Sequence, residues 1–336
     1  MVSYMSDRSQ CVQVNSQSSP TTSLNYGVPQ GSVLGPVLFS LYMKPVTDIL
    51  NKHDISYHLY ADDLQIYTNC PVENLVDTIR KLELCVSEVK DWLTCNMLSM
   101  NGDKTEFIIF STPFKQPHVE NFRILFNNLI APSKTVKNLG FVLDNSLTLD
   151  KQISNTCKSS FIEIRRIAKI RNYLTTEIAN KLATCFILPR LDYCNILYAG
   201  LPDKSLKRLQ LVQNSAARLV VGKKKHDHIS AELRKLHWLP VRERILHKIG
   251  TSCYKAINGI SPLYISRMLD TYIPPRTLRS SNKTLLRIPK TKLKTYGERS
   301  FYHQGPVVWN NLPENVKSAE TLAVFKKLLK THFFAN

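Results

Sequence analysis

The stretch from Tyr57 to Tyr67 reads YHLYADDLQIY and constrains the fold more than any other part of this chain. Apolar and polar side chains alternate on both sides of two adjacent acids, Asp62 and Asp63. A period of two is typical of β-strands, so the pattern predicts a β-hairpin that carries both carboxylates at its tip. The simpler interpretation of the acidic pair is turn chemistry alone. Carboxylates on a rigid hairpin also suit a divalent cation, because hard cations take oxygen ligands.

A second motif precedes this hairpin: the residues from Gly27 to Phe39 read GVPQGSVLGPVLF. Its glycines recur at four-residue intervals, so the backbone has little side-chain bulk and can approach a ligand closely. Pro36 suits the first residue of a helix. We predict that one helix follows and that its apolar face is formed by Leu38, Leu41, Tyr42 and Ile49. A Gly/Pro loop by itself is usually a turn, but here a helix and an acidic hairpin follow it.

Together the two motifs resemble the reverse transcriptases, most closely those of jockey-like and chicken-repeat-like non-LTR retrotransposons. Residues 27–39 are similar to the substrate-pocket motif of that family, and the tetrad YADD at 60–63 resembles its catalytic hairpin. The resemblance implies RNA-directed DNA synthesis by two-metal nucleotidyl transfer, with Mg²⁺ as the expected ion and Mn²⁺ as a possible one. The implied partners are deoxynucleoside triphosphates, an RNA template, and a DNA primer or hybrid duplex.

The resemblance also implies a role for individual residues of the two motifs. Asp62 is expected to bind metal directly with Asp63 beside it, so both are candidate catalytic residues and metal ligands. Ala61 is expected to set the steric limit of the site, and Tyr60 to pack near the primer end. The pocket residues expected against nucleotide and template are Pro29, Gln30 and Gly31.

Two further segments resemble motifs of the same family. The segment from Leu98 to Glu106 reads LSMNGDKTE and is followed by an apolar run at 107–110, which predicts a strand. By resemblance Lys104 lies near the departing pyrophosphate and joins the catalytic set; an exposed turn lysine is the alternative. Leu139 and Gly140 lie in a predicted hairpin at 136–143 that resembles the one gripping the primer end.

The family places a first catalytic aspartate upstream of the strand that precedes the pocket motif. Residues 7–14 resemble that strand, so we expect the fingers and the first catalytic motif to be absent from this sequence. Two adjacent acids approach the metals from one side only, which predicts that residues 1–336 alone are inactive. The alternative function is therefore a non-catalytic, nucleic-acid-binding remnant of a retroelement. A purely structural interaction protein has no positive feature in the sequence.

The hydrophobic periodicity predicts an α+β fold with three parts. Residues 1–150 are expected to form a partial polymerase palm, an antiparallel sheet with packed helices; one of these helices is predicted from apolar residues between Leu75 and Leu93 that recur at helical spacing. Residues 151–222 predict a helical thumb-like domain whose last helix is capped by Asp203 and ends at Gly222. Residues 223–336 predict a basic, mainly helical C-terminal region.

The charge of the chain is +19 and unevenly distributed. Residues 1–150 contain 11 Lys/Arg and 15 Asp/Glu, whereas residues 151–336 contain 34 and 11. A net +23 predicts a polyanionic partner, because neutralised phosphates release counterions, although a merely soluble basic surface is the alternative.

The eight cysteines lack a Cys-x-x-Cys pair, and no secretory signal or run of 18 apolar residues occurs. We therefore expect reduced thiols, no membrane partner, and an intracellular location in the nucleus or cytoplasm.

Overall fold

The computed structural model describes residues 2–29, 31–112, 114–115, 119, 122–126, 128–273 and 285–335. The chain divides into two compact units, Met1–Ser133 and Lys134–Asn336. Each unit has hydrophobic clusters formed only by its own residues. The segment 1–150, predicted as a single part, therefore spans the division.

The first unit mixes helices with short antiparallel strand pairs. Its described helices are α1 Val2–Met5, α2 Gly35–Tyr42, α3 Lys44–Lys52 and α4 Leu75–Cys95, with 3₁₀ turns at Val72–Asn74 and Gly102–Lys104. Its strands are β1 Ser9–Gln10, β2 Gln13–Val14, β3 Gln17–Ser18, β4 Thr22–Ser23, β5 Ser56–Tyr60, β6 Asp63–Tyr67, β7 Ile124–Leu125 and β8 Leu129–Ile130. The antiparallel pairs are β1–β4, β2–β3, β5–β6 and β7–β8. The predicted α+β class is confirmed at this level.

Helix α4 confirms the prediction from helical spacing, and it connects two hydrophobic clusters. Leu75 and Ile79, in its first turns, pack in one cluster with Val119. Val89 and Leu93, further along, pack in the other, which includes residues of α3. Because residues near both ends of α4 are buried, this one helix contributes to both hydrophobic clusters of the first unit.

A cross-helix contact ties α3 to α4. Glu88 of α4 accepts hydrogen bonds from Lys52 Nζ at 2.7 Å and His53 Nε2 at 2.7 Å. The hydrogen bond from Lys52, followed by that from His53, holds the pKa of the Glu88 carboxyl below its ordinary value.

Two predictions in this unit are wrong. The single helix expected after Pro36 is two helices, α2 and α3, with Met43 between them. Pro45, in the first turn of α3, has no N–H and cannot continue a preceding helix, so the chain restarts. The run at 107–110 is not a strand, although Phe107 O accepts a bond from Ser133 N at 2.7 Å. A strand needs a partner along its length, and among the described residues no strand pairs with this segment.

The second unit is mainly helical and begins with a hairpin. The hairpin is β9 Thr135–Asn138 and β10 Phe141–Asp144. The described helices are α5 Asp150–Ile170, α6 Thr176–Phe186, α7 Leu188–Asp192, α8 Asp203–Val221, α9 Ser230–Lys235, α10 Val241–Ile257, α11 Leu263–Ser266, α12 Phe301–Asn310, α13 Glu314–Lys317 and α14 Leu322–Ala335. 3₁₀ turns lie at Arg171–Tyr173 and Asn195–Tyr198.

One hydrophobic cluster holds this unit together. It includes Leu209 of α8, Ile249 of α10 and Phe325 of α14, so the predicted segments 151–222 and 223–336 share a core. The Phe325 ring stacks on Tyr254 with 4.3 Å between ring centroids. Because one packed interior joins the two segments, we expect them to fold together.

The helix ends of this unit test the sequence-based capping signals. Gly222 ends α8 in the left-handed conformation at φ +73°, as predicted. Asp203 does not cap α8; Pro202 is the cap residue, and Asp203 in the first turn pairs with Arg242. Helix α10 starts after Pro240. Among the described residues, no helix is long and apolar enough to cross a membrane.

Candidate active site

The acidic hairpin forms as the sequence predicts, with a loop of two residues. Strands β5 and β6 pair from Ser56↔Tyr67 to Tyr60↔Asp63, which leaves Ala61 and Asp62 in the loop. Ala61 has φ +53°, a left-handed conformation that two-residue hairpin loops require to match the twist of their strands. Asp62 therefore lies at the tip, and Asp63 is the first residue of β6.

The two faces of this hairpin have different environments. Tyr57, Leu64 and Ile66 pack against the cluster that includes α3 and the end of α4, which anchors the hairpin. On the opposite face the side chains are exposed, including Tyr60 at 67%. Because side chains alternate along a strand, Asp63 shares that exposed face with Tyr60.

Both carboxylates of the tip are exposed to solvent. Two adjacent carboxylates on an anchored hairpin fit a hard divalent cation, since Mg²⁺ is usually held by one or two carboxylates plus substrate phosphates. Within the described part of the chain, no group of three or more His, Cys, Asp or Glu side chains is arranged to hold a metal. Asp62 and Asp63 are therefore a pair of oxygen donors and not, within the described residues, part of a larger ligand group.

The glycine motif forms an open loop in front of α2. Gly27 and Gly31 have φ +78° and +82°, and a Cβ at either position would have no atom of the described residues within 4 Å apart from those of its chain neighbours. Gly31 is exposed, and so is Pro29, whose carbonyl accepts a bond from Ser32 N at 3.2 Å. Gln30, also predicted for this pocket, lies outside the described residues. The glycines allow left-handed turns here and leave open space beside the backbone.

Gly35 has a different role from the other two glycines. It is buried, and a Cβ there would lie 2.9 Å from Ser32 Oγ. That hydroxyl accepts a hydrogen bond from Gly35 N at 3.2 Å and also contacts the Tyr4 hydroxyl. A side chain at Gly35 would displace Ser32, so this glycine maintains the turn into α2.

A depression of about 450 Å³ is bordered both by the end of the glycine motif and by the acidic hairpin. It is lined by Pro36 and Val37 at the start of α2 and by Leu59 of β5, among others. Val37 is 57% exposed and Leu41, a further lining residue, is 60% exposed. The end of the glycine motif and the strand leading to Asp62 thus border one concave, partly apolar surface.

Lys104 lies on the surface, in the 3₁₀ turn Gly102–Lys104. Its backbone N–H donates to Asn101 Oδ1 at 3.3 Å, which fixes the turn and leaves the side chain exposed. This exposure agrees equally with a pyrophosphate contact and with an ordinary turn lysine, so the role of Lys104 stays a prediction.

The hairpin at 135–144 belongs to the second unit. Leu139 and Gly140 form its two-residue loop, with φ +45° and +85°. Positive φ at both central residues is the type I′ pattern that favours tight hairpins. The Tyr193 hydroxyl donates to Leu139 O, a contact the local sequence could not reveal because 54 positions separate the two residues. Leu139 is 46% exposed, and its contact with primer stays a prediction.

Residues 2–143 match the family described as "Reverse transcriptase (RNA-dependent DNA polymerase)". The chain is 26% identical over 322 residues to the probable RNA-directed DNA polymerase from transposon X-element of Drosophila melanogaster, covering 87% of this chain and 32% of that protein. It is 24% identical over 205 residues to the RNA-directed DNA polymerase from mobile element jockey of Drosophila funebris (58% and 22%). The Drosophila melanogaster jockey protein is 25% identical over 230 residues (66% and 24%).

No solved structure matches the chain. The chain spans between 22% and 32% of the length of these three curated relatives. The family match contains both the glycine motif and the acidic hairpin, and the X-element match extends over most of the chain. Residues 2–143 are therefore similar to reverse transcriptases, and the wider chain is similar to RNA-directed DNA polymerases from the jockey and X-element mobile elements.

Proposed function

We propose that this chain is part of an RNA-directed DNA polymerase and that residues 2–143 contribute its palm. The single observation that carries the proposal is the position of the two acids within a matched family segment: Asp62 at the tip of an anchored hairpin and Asp63 beside it. Both are exposed, so a nucleotide and a primer end can reach them.

In this proposal Asp62 and Asp63 hold a divalent metal, Mg²⁺ or Mn²⁺. A bound metal of this kind stabilises charge on the attacking and leaving oxygens of phosphoryl transfer. The chain's own residues position the reactants: Tyr60 and Ala61 border the primer end, and Pro29, Gln30 and Gly31 border nucleotide and template. The open space beside Gly31 supports this assignment, because a base or sugar can approach the backbone there.

Three further assignments belong to the same proposal. Lys104 contacts the departing pyrophosphate, and the loop Leu139–Gly140 contacts the primer end. The helices between Asp150 and Gly222 act as a thumb along the template–primer duplex. Their support is the similarity to the X-element protein over 87% of this chain and, for the loop, its exposed type I′ geometry.

A segment exchange tests the proposal. In the jockey protein of Drosophila melanogaster, the reverse transcriptase segment corresponding to residues 2–143 is replaced by that of this chain. We expect the chimaera to extend a DNA primer on an RNA template in the presence of Mg²⁺. A folded chimaera that extends no primer, beside an active unexchanged jockey protein, would contradict the assignment.

A second candidate function is nucleic-acid binding without catalysis, and the charge of the second unit favours it. Residues 134–336 contain 36 Lys/Arg and 13 Asp/Glu, a net +23, whereas residues 1–133 contain 9 and 13, a net −4. Such an excess of positive charge is the electrostatic footprint of a phosphate-binding surface. This function needs neither Asp62 nor a metal.

The two candidates are separated by assaying residues 1–336 as they stand. From the one-sided approach of its two carboxylates, we expect this protein to bind RNA–DNA hybrid but not to extend the primer. Losing metal positioning costs several orders of magnitude in rate in metal-assisted phosphoryl transfer. Robust extension that depends on Asp62 would show instead that this polypeptide supplies the remaining ligand itself.

A further inference from the structure

A cavity of about 550 Å³ lies within the second unit, and its lining includes none of the residues of the candidate active site. It is bordered by α8, α9, the start of α10 and the last turns of α14. Its walls combine amide, carboxylate, basic and aromatic side chains, so it can hold a ligand that is both flat and polar.

The orientation of the amide groups in this cavity is fixed by the backbone. Gln210 Oε1 accepts from Val241 N at 2.8 Å, and Gln213 Nε2 donates to Leu239 O at 2.8 Å. A backbone N–H can only donate and a carbonyl can only accept, so neither glutamine can be flipped. Gln210 Nε2 then donates to Gln213 Oε1 at 2.9 Å and to Asn214 Oδ1 at 2.8 Å. Asn214 Nδ2 is therefore a donor that makes no hydrogen bond to any described residue.

Glu243 also lines this cavity. It lies in the first turn of α10, and its Oε2 is buried without a hydrogen-bond partner among the described residues. Neither a hydrogen bond nor an ion pair to the described residues involves this side chain. A buried carboxylate oxygen without a donor is costly, so a ligand that brings N–H groups would gain a charge-assisted hydrogen bond.

Aromatic and basic groups complete the walls. Trp238 and Phe334 line the cavity, and Phe334 is held by an edge contact with His237 at 6.4 Å between ring centroids. Lys207 and Arg234 also line it and are exposed, with no carboxylate partner among the described residues. Aromatic side chains stack on bases, and lysine and arginine bind the phosphates.

We propose that this cavity binds a guanine nucleotide, as a base unstacked from single-stranded RNA or DNA. Guanine carries two adjacent donors, N1–H and the N2 amine, beside the acceptor O6. Glu243 and Asn214 both line the cavity; in this proposal the Glu243 carboxylate accepts from N1–H and N2–H, and Asn214 Nδ2 donates to O6. Adenine and cytosine each offer an amine but no adjacent ring N–H, so they leave the carboxylate half satisfied.

This inference does not depend on the proposed polymerase function. The cavity lies outside the matched segment 2–143, and it involves neither the metal nor the acidic hairpin. The Asp62→Asn variant is therefore expected to bind guanine nucleotide as the unmodified protein does, so that the failure of one proposal is distinguishable from the failure of the other.

Calorimetric titration of the whole chain with the four ribonucleoside 5′-monophosphates tests the site. We expect GMP to bind at least about tenfold more tightly than AMP, CMP or UMP, the ratio that one additional charge-assisted hydrogen bond provides. Inosine 5′-monophosphate, which lacks only the N2 amine, should bind more weakly than GMP. That comparison needs no substitution and so cannot be affected by misfolding.

Variants then assign the selectivity to the cavity. Glu243→Gln should remove the preference for GMP, and Phe334→Leu should weaken the binding of all four nucleotides. Glu314→Gln, a matched change on the exposed helix α13, should change neither. Equal affinity for the four nucleotides, no binding of any, or a GMP preference that survives in a folded Glu243→Gln protein would each overturn the proposal.

Discussion

Tyr60 and Asp63 face each other as the last cross-strand pair of the β5–β6 hairpin. This register decides which acid occupies the loop: Asp62 lies at the tip, whereas Asp63 points to the exposed face that also carries Tyr60. A register shifted by one residue would turn Leu64 and Ile66 to solvent, so the hydrophobic contacts of the hairpin also fix the position of the carboxylates.

The two acids of the tip are expected to be essential in the segment exchange with the jockey protein. Asp62→Asn should lower primer extension by at least about a thousandfold, because a metal ligand is lost where positioning supplies most of the rate. Asp63→Asn is expected to lower it as well. Asp48→Asn, an exposed acid of α3, is the matched control and should leave extension unchanged. Equal rates for the Asp62 and Asp48 variants in a primer-extension assay would exclude the proposed site.

The left-handed residue of the loop gives a prediction about stability. Ala61 has φ +53°, which costs an L-residue about 1–2 kcal/mol, whereas glycine adopts it freely but loses about 0.5–1 kcal/mol of unfolded-state entropy. Ala61→Gly should therefore stabilise the hairpin by about 0.5 kcal/mol and slow amide hydrogen exchange in β5 and β6. Ala61→Val should speed that exchange, because a β-branched residue resists positive φ. The reverse order would show that the loop adopts another conformation.

Nucleic-acid binding should reside in the second unit and depend steeply on salt. Residues 134–336 carry a net +23 and a hydrophobic cluster of their own, so we expect them to bind RNA–DNA hybrid as a separate fragment. A fluorescence-anisotropy titration between 50 and 200 mM salt should show affinity falling by roughly 10³-fold or more, as for proteins making several phosphate contacts. The fragment 1–133 is the control, and binding carried by it would contradict this prediction.

His247 predicts a pH dependence of the second unit's stability. Burial lowers the pKa of the His247 imidazole; the contact of its Nε2 with Lys326 O at 3.4 Å opposes this, and the charges of Lys330 and Arg244 add to the lowering. Because the folded pKa lies below the ordinary value of 6.5, the unfolded state binds more protons between the two values. The contribution of His247 to the free energy of unfolding is therefore constant above about pH 6.5. It is lost as the pH falls from 6.5 through the lowered pKa of the folded state.

Urea unfolding at pH 7.5 and at pH 5.5 measures this effect. The unfolding midpoint should fall on acidification, and His247→Gln should reduce that fall. His226→Gln, at an exposed histidine, is the control and should leave it unchanged. An identical pH response in the His247 variant would mean that other groups account for the acid sensitivity.

Several features of this protein follow from local sequence alone. The helix spacing between Leu75 and Leu93 is confirmed by α4, and the period-two pattern around Asp62 by the β5–β6 hairpin. Gly222 ends α8 because glycine adopts a left-handed conformation without cost. The two motifs that identify the reverse transcriptase segment also lie in short contiguous stretches. These features depend on interactions between residues a few positions apart, so the local sequence is sufficient to predict them.

The remaining features depend on residues far apart in the chain. The run at 107–110 has strand composition but pairs with no strand among the described residues. The N–H of Val241, at the start of α10, donates to Gln210, 31 positions earlier in the chain. The cavity lined by Glu243 arises only when α8, α10 and α14 pack together. Pairing and burial need partners that periodicity cannot specify, so the tertiary structure alone decided where unsatisfied donors and acceptors meet.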